Sequence, residues 1–274
     1  VEVEKKVEVV KEITPTPLPK IVTPQGRELP DDAAPLDKQV WIEFGAEPKF
    51  LDPARDVYSA QFSLNWLTEP LVRNNENFEL VPALAESWKP GPKAEYWEFV
   101  IREGAKWSDG TPITSDDVVY TYQHLSDPAL ANPWVWFYFD IRDVAKHARG
   151  EIKKEDVKAA VKVDDRTVQI YGEYGSIPYL PALLSYQASV IVPKHAAGYV
   201  CGGPYICTKW EHNKSATLEV NPMYNGLHKP GIQRVDITIV TGTFNGFNAW
   251  LNMEQYLYSG LGVSELGIVR NDPK

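Results

Sequence analysis

The chain has 274 residues and a formal net charge of −9, from 28 Lys and Arg against 37 Asp and Glu. This length suits one large domain or two ordinary ones, and 43% hydrophobic residues is typical of a globular protein. The acidic balance argues against binding to nucleic acid, whose phosphates require clusters of Lys and Arg. No apolar run reaches the ~20 residues that span a bilayer.

Residues 1–35 are predicted to form an extended tail or linker. Residues 1–10 alternate Val with charged residues, the period of a strand with one face in water, and Pro–Thr pairs follow. Such a strand can add to the edge of a sheet in another molecule, so self-association through residues 1–10 is one hypothesis. The chain starts at Val1 without a signal peptide, which suggests a processed N-terminus of an exported protein.

From residue 36 onward, the periodicities predict a mixed α/β (α+β) chain. Apolar residues at helical spacing predict helices over 58–72, 114–125 and 177–184, the second of them capped by Thr114 or Ser115. Alternating or short apolar runs predict strands over 40–44, 78–82, 96–102, 157–163, 167–171, 188–192, 205–210, 216–221 and 234–241.

The sequence carries no pattern for catalysis, metal binding or a nucleotide cofactor. Asp109 precedes Gly110 in a predicted turn, and the Asp pairs at 116–117 and 164–165 fit a helix start and a turn. The five His lack metal-ligand spacing, and there is no nucleophile elbow or phosphate loop. We therefore expect a protein that is not an enzyme and holds no cofactor or metal.

The aromatic run at 134–139, Trp-Val-Trp-Phe-Tyr-Phe, is the best binding candidate. Trp and Tyr rings offer flat apolar area with a polar edge, which suits stacking on a peptide or a sugar. The alternative is that one alternating set of these residues packs in the core.

Cys201 and Cys207 are the only cysteines, and they flank a Gly-Gly-Pro turn. Two cysteines are too few for a disulfide scaffold or a zinc ribbon. A single local disulfide, if the protein is exported, and two buried thiols are about equally consistent with this spacing.

A long motif runs from Leu84 to Tyr122: L-A-E-S-W-K-P, a strand, and then R-E-G-A-K-W-S-D-G-T-P-I-T-S-D-D-V-V-Y. It resembles the core of the family-5 extracellular solute-binding proteins of ABC importers, the dipeptide-, oligopeptide- and nickel-binding class. Ser115 stands where that family usually has Ala. The matching positions are Arg102, Gly104, Lys106, Trp107, Asp109, Gly110, Pro112, Thr114, Asp117, Val118 and Tyr120.

Shorter motifs extend the resemblance over about residues 38 to 245: L-D-P at 51–53, V-P-K-H at 192–195, G-P-Y at 203–205 and N-P-M-Y at 221–224. The implied fold is a type II periplasmic-binding-protein-like lobe with an inserted small subdomain. Family members are much longer, so the second lobe is expected to be largely missing. The implied parts are a tail (1–35), the first part of lobe I (36–65), the inserted subdomain (66–192), return strands of lobe I (193–243), and a stub of the second lobe or irregular tail (244–274).

The resemblance implies a protein that captures a peptide-like or oligosaccharide solute and delivers it to the permease of an ABC importer. It places the protein at the extracellular face or in the periplasm, with a lipidated N-terminus outside this chain as one option. It also adds three residues after L-D-P to the aromatic run as expected ligand contacts. The full set is Asp56, Tyr58, Ser59, Trp134, Trp136 and Tyr138. The alternative function is a structural subunit that docks by strand addition of its tail.

Overall fold

The computed structural model of the protein describes residues 20–55, 66–186, 188–196, 200–240 and 246–252. The α-helices in these ranges are α1 (Ser115–Leu125), α2 (Val144–Ala148), α3 (Leu180–Leu184) and α4 (Gly246–Leu251). The strands are β1 (Val40–Gly45), β2 (Val72–Asn74), β3 (Leu80–Pro82), β4 (Ala85–Pro90), β5 (Tyr96–Ile101), β6 (Ala160–Lys162), β7 (Thr167–Tyr171), β8 (Tyr205–Glu211), β9 (Ser215–Val220) and β10 (Arg234–Ile239). No helix in the described part of the chain is long and apolar enough to cross a membrane.

The first sheet has the strand order β1-β10-β9-β8. Strand β1 pairs with β10 in parallel, whereas β10, β9 and β8 pair in antiparallel order. The first sheet therefore takes one strand from early in the chain and three from much later. The segment inserted between β1 and β8 carries the other two sheets and helices α1 to α3, while the predicted subdomain over 66–192 stays a prediction.

The inserted segment forms a second sheet of order β4-β5-β7-β6, fully antiparallel, and the small β2–β3 hairpin. Alternation along β5 and β7 buries Phe99, Ile101, Val168 and Ile170 completely, because successive side chains of a strand point to opposite faces. Helix α1 contacts β6 and β7. These residues and the buried face of α1 belong to one large hydrophobic core.

Helix α1 starts where the sequence predicts. Thr114 is the N-cap, and the Asp117 carboxylate accepts a hydrogen bond from its backbone amide (2.9 Å). Asp117 is itself buried and also accepts a hydrogen bond from the Lys194 amide (2.9 Å). The same carboxylate thus caps the helix and fixes the chain that passes beside it.

Two predictions around Pro70 are wrong in the described residues. The helix predicted over 58–72 is wrong at its C-terminal end, because Val72 already begins β2. The strand predicted over 188–192 is reduced to a single bridge between Pro70 and Val190. Proline has no amide hydrogen, so it neither continues a helix nor propagates a ladder. Residues 56–65 of the predicted helix lie outside the described residues.

Three smaller differences concern short segments. Helix α3 begins at Leu180, three residues later than predicted, and the Ile177 amide before it donates to the Ala94 carbonyl (2.8 Å). The short helix α2 was not predicted. Residues 20–35 of the predicted tail pack on the body: Leu29 is buried and Arg27 donates to the Lys229 carbonyl (3.1 Å). Residues 1–10, and with them the predicted tail strand, lie outside the described residues.

A buried ion pair joins the inserted segment to the first sheet. Arg102, at the end of β5, donates to the Glu69 carboxylate at 2.6 Å, and the two side chains are only 9% and 1% exposed. The Tyr224 hydroxyl, just beyond β9, donates to the other oxygen of Glu69 at 2.6 Å. Burial, followed by the charge of Glu69, raises the pKa of Tyr224, so this hydroxyl keeps its proton. The cluster is satisfied only when all three segments meet.

We predict that Glu69→Gln lowers the free energy of unfolding by about 3 kcal/mol, because it leaves the Arg102 guanidinium buried without its counter-charge. Urea denaturation followed by tryptophan fluorescence measures this loss. The matched control is Glu28→Gln, which removes the exposed pair with Lys20 and should leave the denaturation midpoint unchanged. Equal midpoints for both variants would contradict a structural role for the buried pair.

Candidate functional site

The aromatic run forms a single 3-10 turn, Val135–Tyr138, rather than a strand or a long helix. Its residues therefore point in several directions. Trp136 is 57% exposed, Trp134 is half-buried, and their ring centroids lie 6.2 Å apart. Tyr138 is 2% exposed, and its hydroxyl is hydrogen bonded to Ser189 (3.1 Å). The alternative that one alternating set packs in the core is supported for the odd-numbered set, since Val135, Phe137 and Phe139 are partly buried against the large core. Of the even-numbered residues, Tyr138 alone belongs to that core.

Asn132 holds Trp134 in place. Its side-chain oxygen accepts a hydrogen bond from the Trp134 amide (3.0 Å), and its side-chain nitrogen donates to the Leu125 carbonyl at the end of α1 (3.0 Å). An Asn side chain used in this way fixes a turn, so the Trp134 backbone is tied to α1.

A small cavity of about 20 Å³ is lined in part by Trp134. It holds no more than about one or two water molecules. The Pro53–Ala54 turn, the C-terminal half of α1 and the chain at 188–192 enclose it. The lining residues are Pro53, Ala54, Thr121, His124, Leu125, Asn132, Trp134, Tyr138, Ala188, Val190 and Val192.

The side chains of Asp52 and His124 form a hydrogen-bonded pair beside this cavity. The His124 Nε2 lies 2.9 Å from an Asp52 carboxylate oxygen, and the other oxygen accepts from the Ala54 amide (2.9 Å). Burial raises the pKa of Asp52, but the hydrogen bond and charge of His124, with the Ala54 amide and Arg55, outweigh it and lower the pKa overall. The Tyr120 ring stacks on His124 at 5.3 Å. The pair therefore ties the L-D-P turn to α1.

A second, larger cavity of about 80 Å³ adjoins the first and shares Pro53, His124 and Val192 with it. Its wall is mostly apolar and includes Leu67, Trp107, Val200, Cys201 and Cys207. The structure has both cysteines as thiols, Cys201 buried and Cys207 half-buried, so the local disulfide stays a prediction. Among the described residues, no three His, Cys, Asp or Glu side chains are placed to hold a metal ion.

The structure thus brings Trp134, Trp136 and the L-D-P turn to one region, and it turns Tyr138 inward. Asp56, Tyr58 and Ser59 lie outside the described residues, so their ligand contacts stay predictions. The sequence reasoning missed Asp52, His124 and Asn132. The L-D-P motif was recognised, but a pairing between Asp52 and a residue so distant in sequence leaves no periodic signal. The Asn-Pro step before Trp134 was the one available indication of a turn.

We predict that Asp52→Asn lowers stability by about 1–2 kcal/mol at neutral pH, because His124 loses a charged partner. Since the folded pKa of Asp52 lies below its unfolded value, its contribution is present above the unfolded pKa and is lost as pH falls through the folded pKa. The gap in unfolding free energy between wild type and variant should therefore begin to narrow as pH falls to about 4 and should close only below the folded pKa. Denaturation curves at several pH values measure it.

Asp37→Asn is the control, since Asp37 is exposed. Within the part of the chain that the structure describes, its one ion pair is with the neighbouring Lys38. Its curves should follow those of the wild type at every pH. A gap for Asp52→Asn that is absent at neutral pH, or equally large at about pH 1, would show that the carboxylate does not stabilise the fold.

Comparison with known proteins identifies the fold and the family. A substrate-binding domain of an oligopeptide ABC transporter from Bacillus anthracis superposes with a TM-score of 0.75 at 24% identity, over 86% of this chain and 48% of that chain. The Escherichia coli murein tripeptide binding protein MppA superposes with a TM-score of 0.70 at 26% identity, over 79% and 45%. The predicted type II periplasmic-binding-protein fold is confirmed.

In sequence, the chain is 30% identical over 244 residues to the periplasmic oligopeptide-binding protein OppA of Salmonella typhimurium, covering 83% of this chain and 44% of OppA. The chain thus spans less than half the length of the relatives it matches. The model of the bacterial extracellular solute-binding proteins, family 5, matches residues 79–256, which is more than half of the chain. The chain belongs to the family-5 bacterial extracellular solute-binding proteins.

Proposed function

We propose that the protein captures a peptide outside the cytoplasm and delivers it to the permease of an ABC importer. The observation that carries this proposal is the match of residues 79–256 to the family-5 solute-binding proteins. OppA and MppA are named for oligopeptides and for a murein tripeptide, which favours a peptide over a sugar. The names of both relatives include the word periplasmic, which supports a periplasmic or extracellular location.

The proposed contact surface is the one around Trp134. Trp134 is half-buried, and the neighbouring Trp136 adds exposed aromatic area. Asn132 and the Asp52–His124 pair hold this surface rigid, so little rotamer freedom is lost on binding. Asp56, Tyr58 and Ser59 complete the proposed set of contacts. Tyr138 has a supporting position because its hydroxyl bonds to Ser189.

The cavity against Trp134 is too small for a whole peptide. The tip of one small side chain is the largest part of the ligand that it admits, so most of the contact surface would come from the open side of the site. Such binding agrees with cleft closure between two lobes, for which this chain supplies the first.

Two other proposals have less support. Trp134 and Trp136 would also stack on an oligosaccharide, but the relatives compared above are named for peptides. Docking by strand addition depends on residues 1–10, which lie outside the described residues. A lipid tether upstream of this chain likewise stays a prediction.

We predict that the complete gene product binds short peptides, and that Trp134→Ala weakens this binding about tenfold or more because a stacked aromatic contact is lost. Isothermal titration calorimetry against pooled tri- to pentapeptides and against maltooligosaccharides tests both statements. Heat with peptides and none with sugars is the expected pattern.

Tyr174→Ala is the matched control, because this ring is 84% exposed and lines neither of the two cavities. Its affinity should equal that of the wild type. Heat with the sugars alone would overturn the peptide assignment, and equal losses in both variants would remove Trp134 from the site.

A further inference from the structure

Cys201 lies just before the first sheet, and Cys207 lies within its strand β8. They line the same cavity together with Leu67 and Trp107, and both pack in one hydrophobic cluster. The backbone amide of Cys207 is hydrogen bonded to the Cys201 thiol. A residue's amide nitrogen and Cβ share the same Cα, so this bond brings the two side chains into the same neighbourhood.

Both cysteines are held on fixed backbone. The Cys201 amide donates to the Ser108 hydroxyl (3.0 Å), and the Cys201 carbonyl accepts from the Ser108 amide (2.8 Å). Cys207 lies in β8, where it is paired with Leu218 of β9. The two thiols therefore do not depend on a loose loop to approach each other.

The glycines between them make the approach possible. A Cβ at Gly202 would lie 2.8 Å from the Trp107 ring, and a Cβ at Gly203 would lie 2.6 Å from the Thr68 backbone nitrogen. Contacts this short exclude a side chain at either position. The chain can thus leave Cys201 and enter β8 close against its neighbours only because both residues are glycine.

We propose that Cys201 and Cys207 form an intramolecular disulfide when the protein folds in an oxidising compartment. This rests on the proposed location outside the cytoplasm. The Cys207 thiolate attacks one sulfur of an oxidant disulfide, such as glutathione disulfide, and releases one thiolate. The Cys201 thiolate then attacks the Cys207 sulfur and releases the second. The protein loses two hydrogens, and the oxidant is reduced to two thiols.

The bond forms during folding rather than afterwards. Burial raises the pKa of the Cys201 thiol to about 12, against a smaller opposite effect of the Cys207 amide, and burial also raises the pKa of Cys207. The thiolate is the nucleophile in exchange, so in the folded protein both groups react slowly. In the unfolded chain both are ordinary exposed thiols.

Refolding in a glutathione redox buffer tests the proposal directly. The reduced, unfolded protein is refolded in oxidised and reduced glutathione, denatured, treated with iodoacetamide and weighed by mass spectrometry. We expect no alkylation and a mass about 2 Da below that of the reduced chain. Reduced protein that is already folded should oxidise at least tenfold more slowly in the same buffer.

Two alkyl groups on the refolded protein, or disulfides only between chains, would overturn the proposal. Equal oxidation rates from the folded and unfolded states would overturn the order of events. None of these readouts involves a ligand, so failure here leaves the peptide-binding proposal standing, and failure to bind peptides leaves the disulfide standing.

A double variant, Cys201→Ser with Cys207→Ser, provides the stability control. Reduction should lower the Tm of the oxidised wild type by about 5 °C, because it frees the loop in the unfolded chain, and should leave the Tm of the double variant unchanged. Suppose that the mass shows the disulfide but the Tm of the wild type does not change on reduction. This result would contradict a disulfide that stabilises the native backbone.

Discussion

The structure depends on one buried carboxylate. Glu69 is almost fully enclosed, and a charge in such a place is tolerated only with partners of opposite charge and good hydrogen-bond geometry. Arg102 and Tyr224 both donate to it at 2.6 Å, and the Arg102 guanidinium also donates to the Ala83 carbonyl and to Asn225. These partners come from chain segments far apart in sequence. Satisfying Glu69 therefore brings the inserted segment and the first sheet into one arrangement.

The chain at Glu69 and Pro70 also positions one wall of the candidate site, the segment 190–192. Beyond the ion pair, the Glu69 carbonyl accepts from the Ile191 amide (3.2 Å), and Pro70 bridges to Val190. One residue further, the Val192 amide donates to the Thr121 hydroxyl of α1 (3.0 Å). The chain at 190–192 is thus held between the buried pair and α1, and it forms one side of both cavities. A defect at the ion pair should reach the Trp134 surface through these contacts.

Much of the fold follows from local patterns. The alternation of apolar and polar residues predicted β5 and β7, and the Thr114 cap with its acidic first turn predicted the start of α1. These signals depend on neighbouring residues alone. Around Pro70 the pattern of apolar residues was misleading, since a missing amide hydrogen outweighs periodicity. The family resemblance found the framework more reliably than composition or charge did.

The site was less predictable than the fold. A run of alternating aromatics gave no sign that a 3-10 turn would expose Trp136 and bury Tyr138. Pairings such as Asp52 with His124 are tertiary contacts that one sequence does not encode in its spacing. Two cysteines flanking glycines were consistent with a disulfide or with two thiols. Their shared cavity and the hydrogen bond from the Cys207 amide to the Cys201 thiol favour the disulfide.

The central claim is that a peptide meets the protein at Trp134. The most direct measurement is the set of tryptophan indole N–H signals in the NMR spectrum of the complete gene product during titration with a bound peptide, assigned by single Trp→Phe variants. The account predicts that the Trp134 signal shifts saturably while that of Trp88, on β4, stays in place. A saturable shift elsewhere with Trp134 unmoved would contradict it.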